Sequence, residues 1–404
     1  MIYYILAILL SLGISYFVSF FKKRKFFYTF FLFLSILPTS ILAGVRDYSV
    51  GVDVGQYVTT NFGQAILYGR FWDFQTYLNF FKHRGGIDWV TRAHSTEMGY
   101  NVLTFIVSRF YNNAHWLMFY IQLTIGIFVI LIAIKLNKMF DTSIPFTLFI
   151  YYSGFYIFGL NMMRQSIAAL IMIYAFLFFI QKRYISYSIL QLIAASFHVS
   201  AWIGIIIVLT HFIIVNSKKE KKLSYKDYSI IGMICIVFVS LFGSVIFGIL
   251  SFIISIIPFL SYHMSSVYVS DGTPIRRVIV FVLWAEVYLI YLAFSSKTKN
   301  RKIIDNNLFE VTLRTSAIIT ILGIILSMTM VYTGTLYRLG INFNYIQITA
   351  LPLVLKRFNR TAIGKMKLGI IIFGIIIFGY FIYSKFAATS PYTSQILDGY
   401  LTNW

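Results

Sequence analysis

The residues best suited to chemistry lie in five short polar stretches of a strongly apolar chain. They are RDYSVGVDVGQY (46–57), NMMRQ (161–165), SFHVSA (196–201), TPIRR (273–277) and LYRLGINFNY (336–345). Together they offer Arg46, Asp47, Asp53, Tyr57, Arg164, Gln165, His198, Ser200, Arg276, Arg277, Tyr337, Arg338 and Asn342. Arginine presents a planar fork of donors that matches phosphate oxygens, and it stays charged at every physiological pH. Arg164 and Arg276 stand near expected helix starts, where backbone N–H groups also favour an anion. Several converging arginines suit a diphosphate held at a membrane surface. They would also stabilise the charge that grows as a diphosphate departs. Displacing it with a hydroxyl needs a group that takes the hydroxyl proton. His198, with an ordinary pKa of about 6.5, is one candidate; Asp53 and Asp47 compete with it. The segment 46–113 holds no Asp-x-Asp metal-binding pattern, so neither a metal nor another cofactor is expected.

Each residue has a plainer reading. Arg46 can sit at the interface and pair with Asp47. Asp53 can cap a helix starting at Val54. Tyr337 and Arg338 can belong to an aromatic-and-cation belt. His198 can tie off carbonyls at a helix break. Arg276 and Arg277 are adjacent, so one of them at most is expected to face a shared cavity. Arg164 is the hardest to dismiss, because it lies in an apolar hairpin with no acid nearby in sequence. Glu286, mid-span in LWAEVYL, is a further functional suspect because intramembrane acids are costly. His211, Lys82 and Arg84 give weaker signals.

These stretches need a scaffold, and composition says which kind. Of 404 residues, 59% are hydrophobic and only 12% charged, and the mean hydropathy is +0.79. A soluble globular chain carries about 25% charged residues. Apolar runs long enough to cross a bilayer recur throughout. The fold class is therefore an all-α polytopic integral membrane protein, with 1–404 as one transmembrane domain. Spans are expected at 2–21, 26–45, 114–134, 143–160, 164–181, 184–198, 199–215, 228–257, 275–294, 309–332, 337–355 and 366–384, twelve passes in all. The N-terminal run lacks a basic region and a cleavage site, and reads as a retained helix. The single cysteine, Cys235, lies in an apolar run and can form no internal disulfide.

The net charge of +21 would suggest nucleic acid in a soluble protein, but here topology accounts for it. Basic clusters occur at 22–25, Lys135 and Lys138, 182–183, 218–226, 297–302 and 356–367. All fall on one side if the 32-residue run Tyr184–Val215 breaks at SFHVSA; an unbroken helix would put the KKEKK cluster on the wrong face. The break is therefore expected, and both termini lie outside. The polar stretches then share the outer face. That face also carries the one long loop, 46–113, and a tail, 385–404. Within the loop, EMGYNVLTFIVSRFY (97–111) is apolar but short, and reads as a re-entrant or interface-lying helix in a cap.

The polar stretches resemble the EpsG family. VRDYSVGVDVGQY is similar to its R-(x)n-V-G-x-D-x-x-x-Y opening. NMMRQSIAA followed by AASFHVSAW resembles its central R-Q-x-I-A and A-x-x-F-H-x-S-A signature. YRLGINFNYIQITALP resembles its C-terminal R-(x)n-Y-(x)n-P segment. The resemblance implies a Wzy-type polymerase that joins oligosaccharide repeat units on undecaprenyl diphosphate, at the outer leaflet of a bacterial plasma membrane and without metal. It places the family's marked residues on Arg46, Gly51, Asp53, Tyr57, Arg164, Gln165, His198, Ser200 and Arg338. Val52 stands where the family commonly has Thr or Ser. The implied partners are lipid-linked glycan donor and acceptor and membrane lipids, with a flippase and a chain-length regulator as further candidates. No nucleic acid is expected. Two rival activities are a lipid-linked oligosaccharide flippase and a ligase-like glycan transferase. A flippase opens to both faces and often carries internal repeats, and the two halves of this chain show no convincing repeat.

Overall fold

The computed structural model describes residues 2–21, 24–51, 53–68, 75, 97–217, 223–256, 279–295, 307–328, 334–384, 389 and 392–397. Among these residues the chain is helical, with no strand. The helices are α1 (Ile2–Val18), α2 (Lys25–Leu34), α3 (Leu37–Val45), α4 (Asn61–Tyr68), α5 (Met98–Phe110) and α6 (Ala114–Phe140). They continue with α7 (Ile144–Gly154), α8 (Tyr156–Asn161), α9 (Met163–Phe179), α10 (Tyr184–Phe197), α11 (Gly204–Asn216) and α12 (Tyr225–Ile256). The last five are α13 (Ile279–Ser295), α14 (Asn307–Met328), α15 (Gly334–Asn344), α16 (Gln347–Lys356) and α17 (Arg360–Tyr383).

Six segments are helical, long and apolar enough to cross a membrane: Phe26–Val45, Ala114–Phe140, Val199–Asn216, Tyr225–Phe242, Asn307–Met328 and Thr361–Tyr383. Shorter apolar helices, Ile2–Val18, Met163–Phe179, Tyr184–Phe197 and Val280–Ser295, pack among them. Three expected spans are not single helices. The run 26–45 bends at Ser35 and Ile36, where Pro38 in the first turn of α3 removes a backbone donor. The run 143–160 breaks at Phe155, just after Gly154, into α7 and α8. The run 337–355 breaks at Tyr345 into α15 and α16.

The expected break after Phe197 is present. His198 is extended (φ −161°, ψ 127°), a 3-10 turn spans Val199–Ile203, and α11 starts at Gly204. Helix α5 has 13 residues, about 20 Å at 1.5 Å per residue, too short to cross a bilayer. It packs against α4, α6 and α10.

The interior is a continuous apolar core in which α6, α7, α9, α14 and α16 are largely buried. Large apolar side chains of α10, α11, α12 and α17 face outward, among them Ile185, Phe212, Leu241 and Ile376. This exposed apolar belt suits lipid contact. Charged groups collect at the two ends of the bundle. At one end Arg357 of the α16 terminus pairs with Glu310 of α14, and Lys356 Nζ lies 2.7 Å from Asp141 Oδ2. The other end carries Arg46, Asp53, Glu97, Arg164 and His198.

Candidate active site

Arg164 begins the second residue of α9, and its side chain is only 12% exposed. The guanidinium carbon lies 3.9 Å from the ring centre of Tyr57 and 5.8 Å from that of Tyr100, so the cation is held between aromatic faces. Its Nη1 pairs with Glu97 Oε2. The acid that Arg164 lacks nearby in sequence thus comes from a residue 67 positions earlier, at the N-terminal boundary of α5.

Glu97 also faces His198: its Oε1 lies 3.9 Å from Nε2. The other ring nitrogen is tied back. The Ser200 backbone N–H donates to His198 Nδ1 at 3.2 Å, and Ser200 Oγ lies 2.6 Å from the same atom. Asn342 Nδ2 donates to Ser200 Oγ at 2.7 Å and to the Ser200 carbonyl at 3.3 Å. Gln165 Nε2 in turn donates to Asn342 Oδ1 at 3.3 Å. An amide N–H pointing at Nδ1 makes that atom an acceptor, so the neutral ring carries its proton on Nε2. The chain Gln165, Asn342, Ser200, His198 therefore orients an imidazole N–H toward Glu97.

Two close approaches set this geometry. A Cβ at Gly99 would lie 2.5 Å from Ser196 Oγ and 2.9 Å from the Ser196 carbonyl oxygen. Only glycine lets α5 sit this near the end of α10, which is what brings Glu97 to His198. Gly51 has φ +105°, a left-handed conformation that favours glycine, and its missing Cβ would lie 3.2 Å from the Leu160 carbonyl.

Arg46 stands behind this cluster rather than in it. It is 1% exposed; Nη1 donates to the Leu160 carbonyl at 2.7 Å, while Nε and Nη2 face the sulfurs of Met118 and Met163. Burial draws its pKa below the usual guanidinium value, opposed by the hydroxyls of Tyr4, Tyr156 and Tyr392. Arg46 and Gly51 both close on Leu160, and Asp53 N–H donates to Asn161 Oδ1 at 3.2 Å. Together they pin the 46–53 turn to the turn that presents Arg164. Asp53 makes no side-chain capping bond to the π-helical segment Val54–Thr60, so the capping reading fails. Its carboxylate acts electrostatically on Tyr100, whose phenol is pushed up mainly by burial and drawn back by Arg164.

Asp47 also leaves the cluster. Its backbone N–H donates to the Thr393 carbonyl at 3.0 Å and its Oδ1 accepts from Gln395 N–H at 2.9 Å. Tyr392 Oη donates to the Leu42 carbonyl at 2.7 Å, so the tail is clamped over the end of α3. Arg46 and Asp47 are not an interfacial pair; one points into the core and the other holds the tail. The structure thus brings together Asp53, Tyr57, Arg164, Gln165, His198, Ser200 and Asn342. Arg276 and Arg277 lie outside the described residues, as do the side chains of Tyr337 and Arg338, whose backbone stands on α15 about one turn before Asn342. Sequence reading missed Glu97, Tyr100 and Asn161. Their only signal was position, since Glu97 and Asn161 open stretches already singled out and Tyr100 lies inside one. Among the described residues, no group of three or more His, Cys, Asp or Glu side chains is placed to hold a metal.

Four of the gathered residues, Arg164, Gln165, His198 and Ser200, are those of the central Arg-Gln and Phe-His-x-Ser-Ala blocks, and the EpsG family's sequence model matches residues 30–394. The chain belongs to the EpsG family. No curated protein and no solved structure matches it. EpsG is a family of Wzy-type exopolysaccharide polymerases, and membership supports a polysaccharide polymerase embedded in a membrane by several passes. In this EpsG-family chain Arg164, Gln165, His198 and Ser200 are linked through Glu97 and Asn342, which gives the two signature blocks one physical site.

Proposed function

We propose that the protein is a glycosyltransferase that polymerises undecaprenyl-diphosphate-linked oligosaccharide repeat units into exopolysaccharide or capsule, at the outer leaflet of a bacterial plasma membrane and without metal. The growing chain is the donor and the incoming unit the acceptor. Arg164 grips the donor's diphosphate, with Arg338 and either Arg276 or Arg277 as further cations and Asp53, Tyr57, Gln165, Ser200, Tyr337 and Asn342 around the sugars. The observation that carries this reading is the Arg164 guanidinium, stacked on Tyr57 and joined through Glu97 to an oriented His198, in an EpsG-family chain. A fixed, partly desolvated guanidinium beside an imidazole N–H suits the charge that develops on a departing diphosphate.

The deciding experiment incubates purified protein with one defined lipid-linked repeat unit. A ladder of products is expected. A single transfer product points to a ligase-like transferase, and an unaltered lipid that crosses the bilayer points to a flippase.

A further inference from the structure

Glu97 occupies the position that an anionic substrate needs. Its carboxylate is paired with the guanidinium best placed to bind a diphosphate, and its second oxygen faces the imidazole N–H of His198. A diphosphate carries more negative charge than a carboxylate and matches the guanidinium fork at least as well, so it competes for Arg164. Displacement leaves Glu97 beside the reacting centre without its cation. While the pair holds, Arg164 Nη1 occupies Glu97 Oε2; once the pair is displaced, that oxygen is open to the hydroxyl of an acceptor.

His198 is poorly placed to act as the proton acceptor. The N–H of Ser200 already points at its Nδ1, and the remaining nitrogen carries hydrogen. That nitrogen is a donor, suited to the oxygen of a departing diphosphate. Asp53 lies on the Tyr57 and Tyr100 side, its backbone anchored on Asn161. Glu97 alone among these carboxylates contacts both Arg164 and His198.

We propose that Glu97 is the catalytic base of glycosyl transfer and that the donor's diphosphate unlocks it by taking its place on Arg164. The inference rests on the polymerase reading above. In the step, the acceptor hydroxyl oxygen forms a bond to the anomeric carbon of the donor. The bond from that carbon to the diphosphate oxygen breaks, and its electron pair leaves with the diphosphate. The hydroxyl proton passes to a Glu97 oxygen, while His198 Nε2–H donates a hydrogen bond to the departing oxygen. The base is thus available only when a donor is loaded.

The test uses the full chain in lipid nanodiscs, with the parent protein, Glu97→Gln and Glu97→Asp. Two quantities are measured: the initial rate of elongation of a defined lipid-linked repeat unit, and equilibrium binding of undecaprenyl diphosphate. Glu97→Gln is expected to bind the diphosphate as tightly as the parent or tighter, because the competing charge is gone, while elongation falls on the order of 10²-fold or more. Glu97→Asp keeps the charge on a shorter stem, and should lose rate with binding close to the parent's. Parental elongation by Glu97→Gln overturns the inference. So does an equal loss of rate and binding in both variants, which would make Glu97 a structural partner of Arg164. Should Glu97→Gln fail to fold, Glu97→Asp carries the same comparison. A parent protein that builds no ladder overturns the polymerase reading itself; a parental ladder with an unimpaired Glu97→Gln ladder overturns only the role of Glu97.

Discussion

At the scale of single residues, the site depends on what an arginine does that a lysine does not. Arg164 uses a flat guanidinium to lie against Tyr57 while its edge meets Glu97. Lysine retains the charge but offers neither a flat face nor a fork. Arg164→Lys should therefore insert normally yet elongate on the order of 10²-fold more slowly, the scale seen when one transition-state donor is lost. Chain lengths on a gel, normalised to protein in the membrane, check this. Asn342→Ala tests the orienting chain. Without the amide, Ser200 loses a donor and the imidazole is held less firmly, so turnover should fall on the order of tenfold, the worth of one buried hydrogen bond, with diphosphate binding nearly unchanged. Separate rate and binding measurements distinguish this from general unfolding. Much of the cluster was legible from residue type, because Arg164, Gln165, His198 and Ser200 are costly at membrane depth unless they serve something. Glu97 was not. Its partner lies 67 residues away across a loop, and a lone acid at the edge of an apolar stretch looks like any helix boundary.

At the scale of elements, close packing decides where the side chains arrive. Helix α5 is held against α10 by the bare face of Gly99. Gly99→Ala forces the two apart, which should cost about 1–3 kcal/mol of stability and carry Glu97 away from His198. A lowered melting temperature together with lost elongation is the expected result, and an unshifted melt would show that α5 yields without strain. The helix break at His198 could be read from charge alone, because only a broken 184–215 run keeps the basic clusters on one side. The break at Phe155 could not, since apolar residues continue through it; at Tyr345 the flanking Asn342, Asn344 and Gln347 read as site residues or ordinary span polarity, not as a break. The role of Asp47 was equally hidden. Its partners Thr393 and Gln395 lie almost a full chain length away, and short polar motifs carry no record of such closure.

At the scale of the whole molecule, the claim that can fail is orientation. The candidate site lies at the end of the bundle opposite the Arg357–Glu310 and Lys356–Asp141 pairs. In the proposed orientation, which rests on the excess of lysine and arginine in the short connections, that opposite end faces the cytoplasm and the site lies outside, where lipid-linked sugars would be polymerised. Gln165 is a poor reporter despite its place in the site, because it is 3% exposed and a bulky reagent cannot reach it. Asn112 is exposed between α5 and α6 at the site end, and Lys226 is exposed in the first turn of α12 at the opposite end. With Cys235 replaced by alanine, Asn112→Cys in intact cells should react with a membrane-impermeant maleimide. Lys226→Cys should react only after the membrane is opened. The reverse pattern would put the Arg164 cluster in the cytoplasm. There it would meet lipid-linked sugars before they are flipped, and a polymerase acting at the outer leaflet could not be built on it.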